Sequence, residues 1–172
     1  HTATIQSNKL QFEWTATYIQ NEAAAGFEVL SNFYLHGDFD IQTDITYPTG
    51  TANSRALPVG VGGTGLPNVS SGVSVYLGVS RVATWYPSFA LTDVTSSASK
   101  IRVTRTGTVY ATQYWNGSSW VAISSENLGI SPSARIRYTP HSYHTVGEPG
   151  SGTYVSTIDN ITWTADNISW NP

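Results

Sequence analysis

Apolar and polar residues alternate along much of this chain, in short runs separated by Gly, Pro, Asn and Asp. The clearest run spans residues 39–45, where Phe and Ile side chains share one side of an extended chain. Asp40, Gln42 and Asp44 share the other side. A repeat of two residues is typical of a half-buried antiparallel strand. We therefore predict that this strand has one side in a core and the other in water.

The same alternation recurs elsewhere, so we predict at least seven strands and an all-β chain. The further alternating segments are 9–14, 73–77, 101–106, 109–114, 134–138 and 155–163. A short strand is also predicted near residues 57–61, inside a stretch rich in Gly, Pro and Thr. The one helix predicted is about a single turn at residues 21–26, where Asn can cap the start and Gly the end.

Residues 114–121 predict a hairpin that carries two tryptophans. Asn116 and Gly117 form an Asn-Gly pair, which supplies the positive φ angles that a tight turn requires. Trp115 and Trp120 flank this turn, so they are placed to pair across the two strands.

Composition favours one extracellular domain. At 172 residues the chain can bury one core, and it contains neither an internal repeat nor a linker that would separate a second domain. Charged residues make up 11 % of the chain, against about 25 % in ordinary globular proteins. A surface built from Ser, Thr, Asn and Gly is typical of secreted, cell-surface and virion proteins. We therefore expect an extracellular location.

Charge and residue absences exclude several classes of protein. The formal net charge is -3 and basic residues form no cluster, which argues against nucleic-acid binding. No segment approaches the roughly 20 apolar residues of a membrane span, so we expect no membrane insertion. The chain has no Cys and therefore no disulfide or thiolate chemistry. It also has no Met, and we expect it to be processed or excised from a longer chain.

Three stretches follow an order that resembles a known superfamily. Gly-Asp-Phe-Asp-Ile at 37–41 comes first, and Lys-Ile-Arg-Val-Thr-Arg-Thr-Gly at 100–107 then leads into Tyr-Trp-Asn-Gly-Ser-Ser-Trp at 114–120. Ile-Asp-Asn-Ile at 158–161 comes last. This order resembles the concanavalin A-like lectin/glucanase domains, which include the laminin-G-like jelly rolls. The resemblance runs from about residue 8 to 163 and implies a single two-sheet antiparallel β-sandwich over residues 1–172.

The superfamily contains enzymes, and the resemblance lets their catalytic pattern be tested. Its retaining glucanases carry a Glu-x-Asp-x-Glu strand, and the stretch here that is similar to it holds Asp40, Gln42 and Asp44. Both Glu positions are Asp and the central acid is Gln. Positions four apart on a strand are separated by about 13 Å, whereas retaining chemistry needs carboxyl groups about 5 Å apart. We expect no catalytic residues, and a glucanase-type glycoside hydrolase is the weaker alternative.

Exposed aromatic side chains favour glycan binding, because the flat C–H faces of sugars stack on aromatic rings beside polar groups. Adjacent residues on a strand point to opposite faces, so one of the neighbours Trp85 and Tyr86 should be exposed. The competing interpretation is that each aromatic belongs to the core. The predicted ligand-binding residues are Trp85, Tyr86, Asp40, Gln42, Asp44, Gln113 and Trp115.

The resemblance also implies a possible calcium site. Many domains of this superfamily bind calcium through carboxylates and backbone carbonyls. Asp38, Asp159 and Asn160 lie on the stretches that resemble the opening and closing strands, and they are the implied ligands. The alternative is that Asp38 and Asp159 cap turns through side-chain hydrogen bonds to the backbone. Four Asn-x-Ser/Thr sequons would permit glycosylation in a secretory host, namely Asn68, Asn116, Asn160 and Asn167.

Taken together, the sequence predicts a non-catalytic, surface-exposed binding module for a glycan or a cell-surface polysaccharide. The alternative is a structural subunit of a virion, as a decoration or fibre protein, or of an extracellular filament. The ends at 3–6 and 167–170 read as strands, which could pair with neighbouring subunits by β-augmentation.

Overall fold

A computed structural model describes residues 2–6, 9–16, 25–26, 29–45, 55–56, 59–62, 73–77, 81–84, 90–93, 100–138, 141–142 and 152–170. Within these ranges no helix is long and apolar enough to cross a membrane. Among the described residues the regular secondary structure consists of strands, joined by short turns and loops. Their bounds are β1 Thr2–Gln6, β2 Lys9–Ala16, β3 Ala25–Gly26, β4 Val29–Leu30, β5 Phe33–Ile45, β6 Arg55–Ala56, β7 Val59–Gly62, β8 Val73–Leu77, β9 Arg81–Thr84, β10 Ala90–Asp93, β11 Lys100–Thr106, β12 Val109–Trp115, β13 Trp120–Asn127, β14 Arg135–Tyr138, β15 His141–Ser142 and β16 Gly152–Trp170.

The strands pair into two large antiparallel sheets. One has seven strands in the order β1-β2-β16-β5-β11-β12-β13, and the other has six in the order β10-β9-β8-β7-β14-β4. Strands β3, β15 and β6 add a small third sheet. Strands β5, β11 and β12 of the larger sheet contact β7, β8 and β14 of the smaller one. This arrangement confirms the predicted two-sheet jelly-roll sandwich.

The core lies between the two large sheets, and the alternation along β5 places its residues as predicted. Phe39, Ile41 and Ile45 are buried, while Asp40, Gln42 and Asp44 are only partly buried on the opposite side. The neighbouring strand β11 shows the same alternation of buried and less buried residues. Aromatic and branched aliphatic side chains from both sheets complete the core, among them Phe12, Leu35, Ile101, Val103, Tyr110, Val61, Ile136 and Tyr138.

Two local predictions need correction. The end of the predicted helix, Ala25–Gly26, is strand β3, which pairs with β15; residues 21–24 lie outside the described residues. A single helical turn gains too few hydrogen bonds to stand against strand pairing. The predicted hairpin forms, but its loop has four residues, and within it only Gly117 has a positive φ (103°). Asn116 acts through its side chain, whose oxygen accepts hydrogen bonds from the backbone N–H groups of Ser118 and Ser119.

The closing strand is longer than the pattern predicted. The segments 155–163 and 167–170 belong to one strand, β16, which pairs with β2 and then with β5. Its register against β5 shifts between Asp159 and Thr162 and again between Ala165 and Asn167. Asn160 lies in the first irregularity with φ of 48°. Such bulges change which residues face the core, so the alternation is interrupted although the strand continues.

Candidate functional site

The water-facing side of β5 forms the centre of a polar surface, which we call the polar face. Residues directly opposite each other on paired strands share a face. Thr104 and Thr164 lie opposite Asp40 on its two sides. Arg102 of β11 lies opposite Gln42 and is in turn opposite Gln113 of β12. Four strands therefore contribute side chains to one continuous polar surface.

An ion pair with two flanking amides lies at the centre of the polar face. Arg102 donates from Nε and Nη2 to the two oxygens of Asp40 at 2.9 and 2.6 Å. Its Nη1 donates to Oε1 of Gln113 at 3.1 Å, and Nε2 of Gln42 lies 3.2 Å from both Asp40 oxygens. The hydrogen bond to Asp40 raises the pKa of Arg102, although partial burial opposes the shift. Because the pair is bidentate, both side chains are held in fixed orientations.

Two tryptophans border this ion pair. Trp115 and Trp120 face each other across the hairpin with ring centroids 5.5 Å apart at 68°, as predicted. Trp115 is two positions from Gln113 on the same strand, so it lies on the polar face. The guanidinium carbon of Arg102 lies 5.7 Å from the centre of the Trp120 ring. Both tryptophans are half-buried and keep part of their rings accessible.

An open depression of about 450 Å³ lies next to the ion pair on the polar face. Asp40, Arg102 and Gln113 line it together with further carboxylates and threonines. The other lining residues are Asp38, Phe39, Thr104, Arg105, Thr106, Thr164, Ala165 and Asp166.

Asp38 fixes the backbone at the far end of this depression. Its Oδ1 accepts a hydrogen bond from the Gly107 N–H at 2.6 Å, and its own N–H donates to Asp166 at 2.8 Å. Gly37 precedes it with φ of 67°, and a Cβ there would lie 2.3 Å from Oδ2 of Asp166. The geometry supports the alternative interpretation of Asp38 as a residue that caps a turn.

The other two residues implied for calcium lie at the opposite end of β5. Nδ2 of Asn160 donates to Asp44 at 2.7 Å, and Asp159 accepts from the Asn160 N–H and approaches Lys9 at 3.5 Å. Six positions separate Asp38 from Asp44, about 20 Å along a strand. Asp38, Asp159 and Asn160 therefore do not form one ligand set. Among the described residues no group of three or more His, Cys, Asp or Glu side chains is arranged to hold a metal.

Asp44 is itself engaged by a cation. Lys100 lies 3.1 Å from its Oδ1, while Asn160 occupies its Oδ2. The structure therefore brings Asp40, Gln42 and Gln113 together around Arg102, with Trp115 beside them, and places Asp44 in a separate ion pair.

The remaining predicted site residues fall into two groups. Trp85, Tyr86 and Asn68 lie outside the described residues. Asn116, Asn160 and Asn167 are exposed. Nδ2 of Asn160, the atom to which a glycan would be attached, donates a hydrogen bond to Asp44.

Arg102 was not among the residues predicted for the ligand site. Its signal was available, since Arg102 alternates with the apolar Ile101 and Val103 and must therefore face water. Only the pairing of β11 with β5 shows that it meets Asp40, which lies 62 residues earlier.

Comparison with known proteins bears on the fold. No protein-family model matches the chain, and no curated protein matches it in sequence. A marine alginate lyase of polysaccharide lyase family 7 from Zobellia galactanivorans is similar in structure, with TM-score 0.53 and 9 % identity, over 91 % of this chain and 77 % of that one.

Two further solved structures are similar. Another family 7 alginate lyase has TM-score 0.59 and 8 % identity, over 96 % of this chain and 83 % of that one. A legume lectin-like domain from Entamoeba histolytica has TM-score 0.56 and 10 % identity, over 96 % of this chain and 87 % of that one. These likenesses show that the chain shares the jelly-roll β-sandwich fold of these proteins.

Proposed function

We propose that this protein is a non-catalytic glycan-binding module whose ligand site is the polar face around Arg102. One observation carries the proposal. The bidentate pair of Asp40 and Arg102, joined to Gln42 and Gln113, lies beside the partly exposed rings of Trp115 and Trp120 and borders an open depression.

This arrangement matches the chemistry of a sugar. Sugar hydroxyls both donate and accept hydrogen bonds, and the cluster offers carboxylate acceptors and guanidinium and amide donors. Hydrogen bonds to charged groups are shorter and stronger than those between neutral groups. Because Asp40 and Arg102 already hold each other in place, a ligand would order few side chains on binding. The C–H face of a sugar ring can stack on Trp115 or Trp120.

The carboxylates of this face support binding over catalysis. Asp40 is paired with Arg102 and Asp44 with Lys100, so each carboxylate is already engaged by a cation. The glucanase pattern also has Glu at both outer positions and Asp between them, whereas β5 has Asp40, Gln42 and Asp44. These features support a binding module and not a glucanase.

The charge of the depression supports a neutral glycan as the ligand. Asp38, Asp40 and Asp166 line it, while its cations are Arg102, which is paired with Asp40, and Arg105, which is fully buried. A polymer of uronic acids, such as alginate, would place its carboxylates against these acidic groups. We therefore infer that neutral polysaccharides bind and that alginate does not.

Binding to a panel of neutral and acidic polysaccharides tests the proposal. Isothermal titration calorimetry with oligosaccharides of cellulose, xylan, laminarin and galactan, and with alginate, measures affinity directly. Arg102→Ala and Trp120→Ala should weaken binding of a neutral ligand by at least about 10-fold, because each removes a direct contact. Arg135→Ala is the matched control, since Arg135 donates to Ser31 and lies over Tyr34, away from the polar face.

Each result of this panel is informative. Equal binding by wild type and both variants would place the site elsewhere. Release of reducing ends or of unsaturated products by the wild type would replace the binding module with an enzyme. A silent panel, with assemblies visible by electron microscopy, would favour the structural subunit of a virion or filament. Repeating the titration with EDTA tests the calcium prediction, and the extracellular location likewise remains a prediction.

A further inference from the structure

The ion pair at the centre of the polar face fixes the orientation of the two glutamine amides beside it. A carboxylate has only hydrogen-bond acceptors and a guanidinium has only donors. Gln42 must therefore turn its Nε2 to Asp40, whose two oxygens are both 3.2 Å away. Gln113 must turn its Oε1 to Arg102, whose Nη1 is 3.1 Å away. Exchanging N and O in either amide would set two donors or two acceptors against each other.

Each of these amides keeps one polar atom for a ligand. Gln42 keeps its Oε1, which only accepts, and Gln113 keeps its Nε2, which only donates. Neither atom has a hydrogen bond to another residue within the described ranges. Both side chains are partly exposed, and Gln113 lines the depression. The polar face therefore offers an acceptor at one position and a donor at another, and the ion pair prevents the two from exchanging roles.

Strand order sets the separation of the two glutamines. Gln42 on β5 and Gln113 on β12 both lie opposite Arg102 on β11. Neighbouring strands are about 4.8 Å apart, so the Cα atoms of the two glutamines are separated by about 10 Å. Their side chains approach the ion pair from its two sides. A single hydroxyl would reach one of them, whereas a trans secondary amide points its N–H and its C=O in opposite directions and can meet both.

We infer that the polar face binds a glycan that carries acetamido groups, that is, a chain of N-acetylated amino sugars. This inference rests on the proposed glycan site and names its ligand. The acetamido N–H donates to Oε1 of Gln42, and its C=O accepts from Nε2 of Gln113. Trp120, whose ring centre lies 5.7 Å from the guanidinium carbon of Arg102, offers an apolar surface to the acetamido methyl group. An acetamido group is uncharged, as the acidic depression requires.

The same donor and acceptor positions disfavour the other common substituents of a sugar. A carboxylate only accepts, so it would meet Oε1 of Gln42 and the carboxylate of Asp40 without a proton to donate. An ammonium only donates, so it would leave Nε2 of Gln113 without an acceptor. A hydroxyl pairs with one glutamine and leaves the other to water. The acetamido group satisfies both.

Isothermal titration calorimetry with chitotriose and cellotriose tests this inference. The two trisaccharides share one backbone and differ only at the second carbon of each ring, where chitotriose has an acetamido group and cellotriose a hydroxyl. The wild type should bind chitotriose at least about 10-fold more tightly, the effect of the added hydrogen bonds. Gln113→Glu keeps an oxygen for Arg102 and replaces only the free NH₂ group with an acceptor. This variant should reduce the preference to about 3-fold or less, because the acetamido C=O would then face a carboxylate.

Gln11→Glu is the matched control, because it makes the same change of charge at another glutamine of the large sheet. Gln11 lies on β2 opposite Thr157 and does not line the depression. The control should therefore keep the wild-type preference for chitotriose.

The outcomes separate this inference from the glycan site on which it rests. Equal wild-type affinity for the two trisaccharides, with both weakened in Arg102→Ala, would overturn the acetamido inference and leave the glycan site in place. A preference that survives Gln113→Glu would also overturn it, because the free NH₂ group would then take no part. If neither trisaccharide binds, the acetamido inference fails, and the polysaccharide panel decides whether the glycan site fails with it.

Discussion

Arg102 and Arg105 lie three positions apart on strand β11 and face opposite sides of the same sheet. Arg102 has 27 % of its side chain exposed and pairs with the carboxylate of Asp40. Arg105 is 1 % exposed and, among the described residues, has no carboxylate partner. It donates instead to the carbonyls of Gly37 and Pro132 and to the Tyr110 hydroxyl.

The difference shows that the sheet face, more than the residue type, decides what an arginine does. On the outer side water screens the charge, and the forked donors remain available to a ligand. On the inner side the guanidinium lies 4.7 Å from the Phe39 ring centre and 5.7 Å from that of Tyr110, where contact with aromatic faces offsets part of its lost hydration. Because Arg105 donates to the carbonyls of both Gly37 and Pro132, it links the loop that contains Pro132 to the turn before Asp38. Arg105 therefore supports the depression from beneath.

Arg105→Ala should give the largest effect. The substitution removes the hydrogen bonds to Gly37, Pro132 and Tyr110 and leaves a space between two rings, so we expect the free energy of unfolding to fall by about 3–5 kcal/mol. Urea unfolding followed by tryptophan fluorescence measures it, with Arg102→Ala as the matched control. A loss below about 1 kcal/mol would show that Arg105 does not support the fold.

Gly37→Ala tests the turn that Arg105 holds. A Cβ at Gly37 would lie 2.3 Å from Oδ2 of Asp166 in backbone with positive φ, and we expect a loss of about 3–4 kcal/mol. Gly107→Ala is the control, because φ is 60° but nothing lies within 4 Å of its Cβ, so only the backbone cost of about 1–2 kcal/mol remains. Equal losses in thermal or urea unfolding would mean that Asp166 moves aside freely.

The change in folding stability at high pH tests the burial of Tyr138 on the inner side of the sandwich. Burial raises the pKa of Tyr138 above the ordinary value of about 10. Above pH 10 the unfolded chain releases this proton while the folded chain keeps it, so the unfolded state binds fewer protons and stability falls as pH rises. The slope reaches about 1.4 kcal/mol per pH unit. Urea unfolding at pH 9 and pH 11 should show a smaller loss in Tyr138→Phe than in the wild type, and an identical loss would contradict the assignment.

Arg102→Ala should have the smallest effect on stability. An ion pair with this much exposure contributes up to about 1 kcal/mol to folding, whereas the same change should weaken neutral-glycan binding by at least about 10-fold. Asp40→Asn should behave similarly in both assays. A loss of several kcal/mol in urea unfolding would make Arg102 a structural residue like Arg105 and erase the contrast between the two faces.

The sequence by itself determined which side of each well-patterned strand faces the core. Side chains alternate along an extended chain whatever it pairs with, so burial of Phe39 and Ile41 and exposure of Asp40 and Gln42 could be read directly. The Trp115 and Trp120 pair was equally local, because four loop residues separate them.

Tertiary structure decided which distant residues meet. Strand order and register set the contact of Asp40 with Arg102, and they placed Asp159 beside Asp44 instead of Asp38. They also buried Arg105, although arginine is normally exposed. These contacts depend on pairing between residues far apart in the chain, and that pairing is set when two sheets close around one core. The alternation within a single strand does not specify which strand it pairs with.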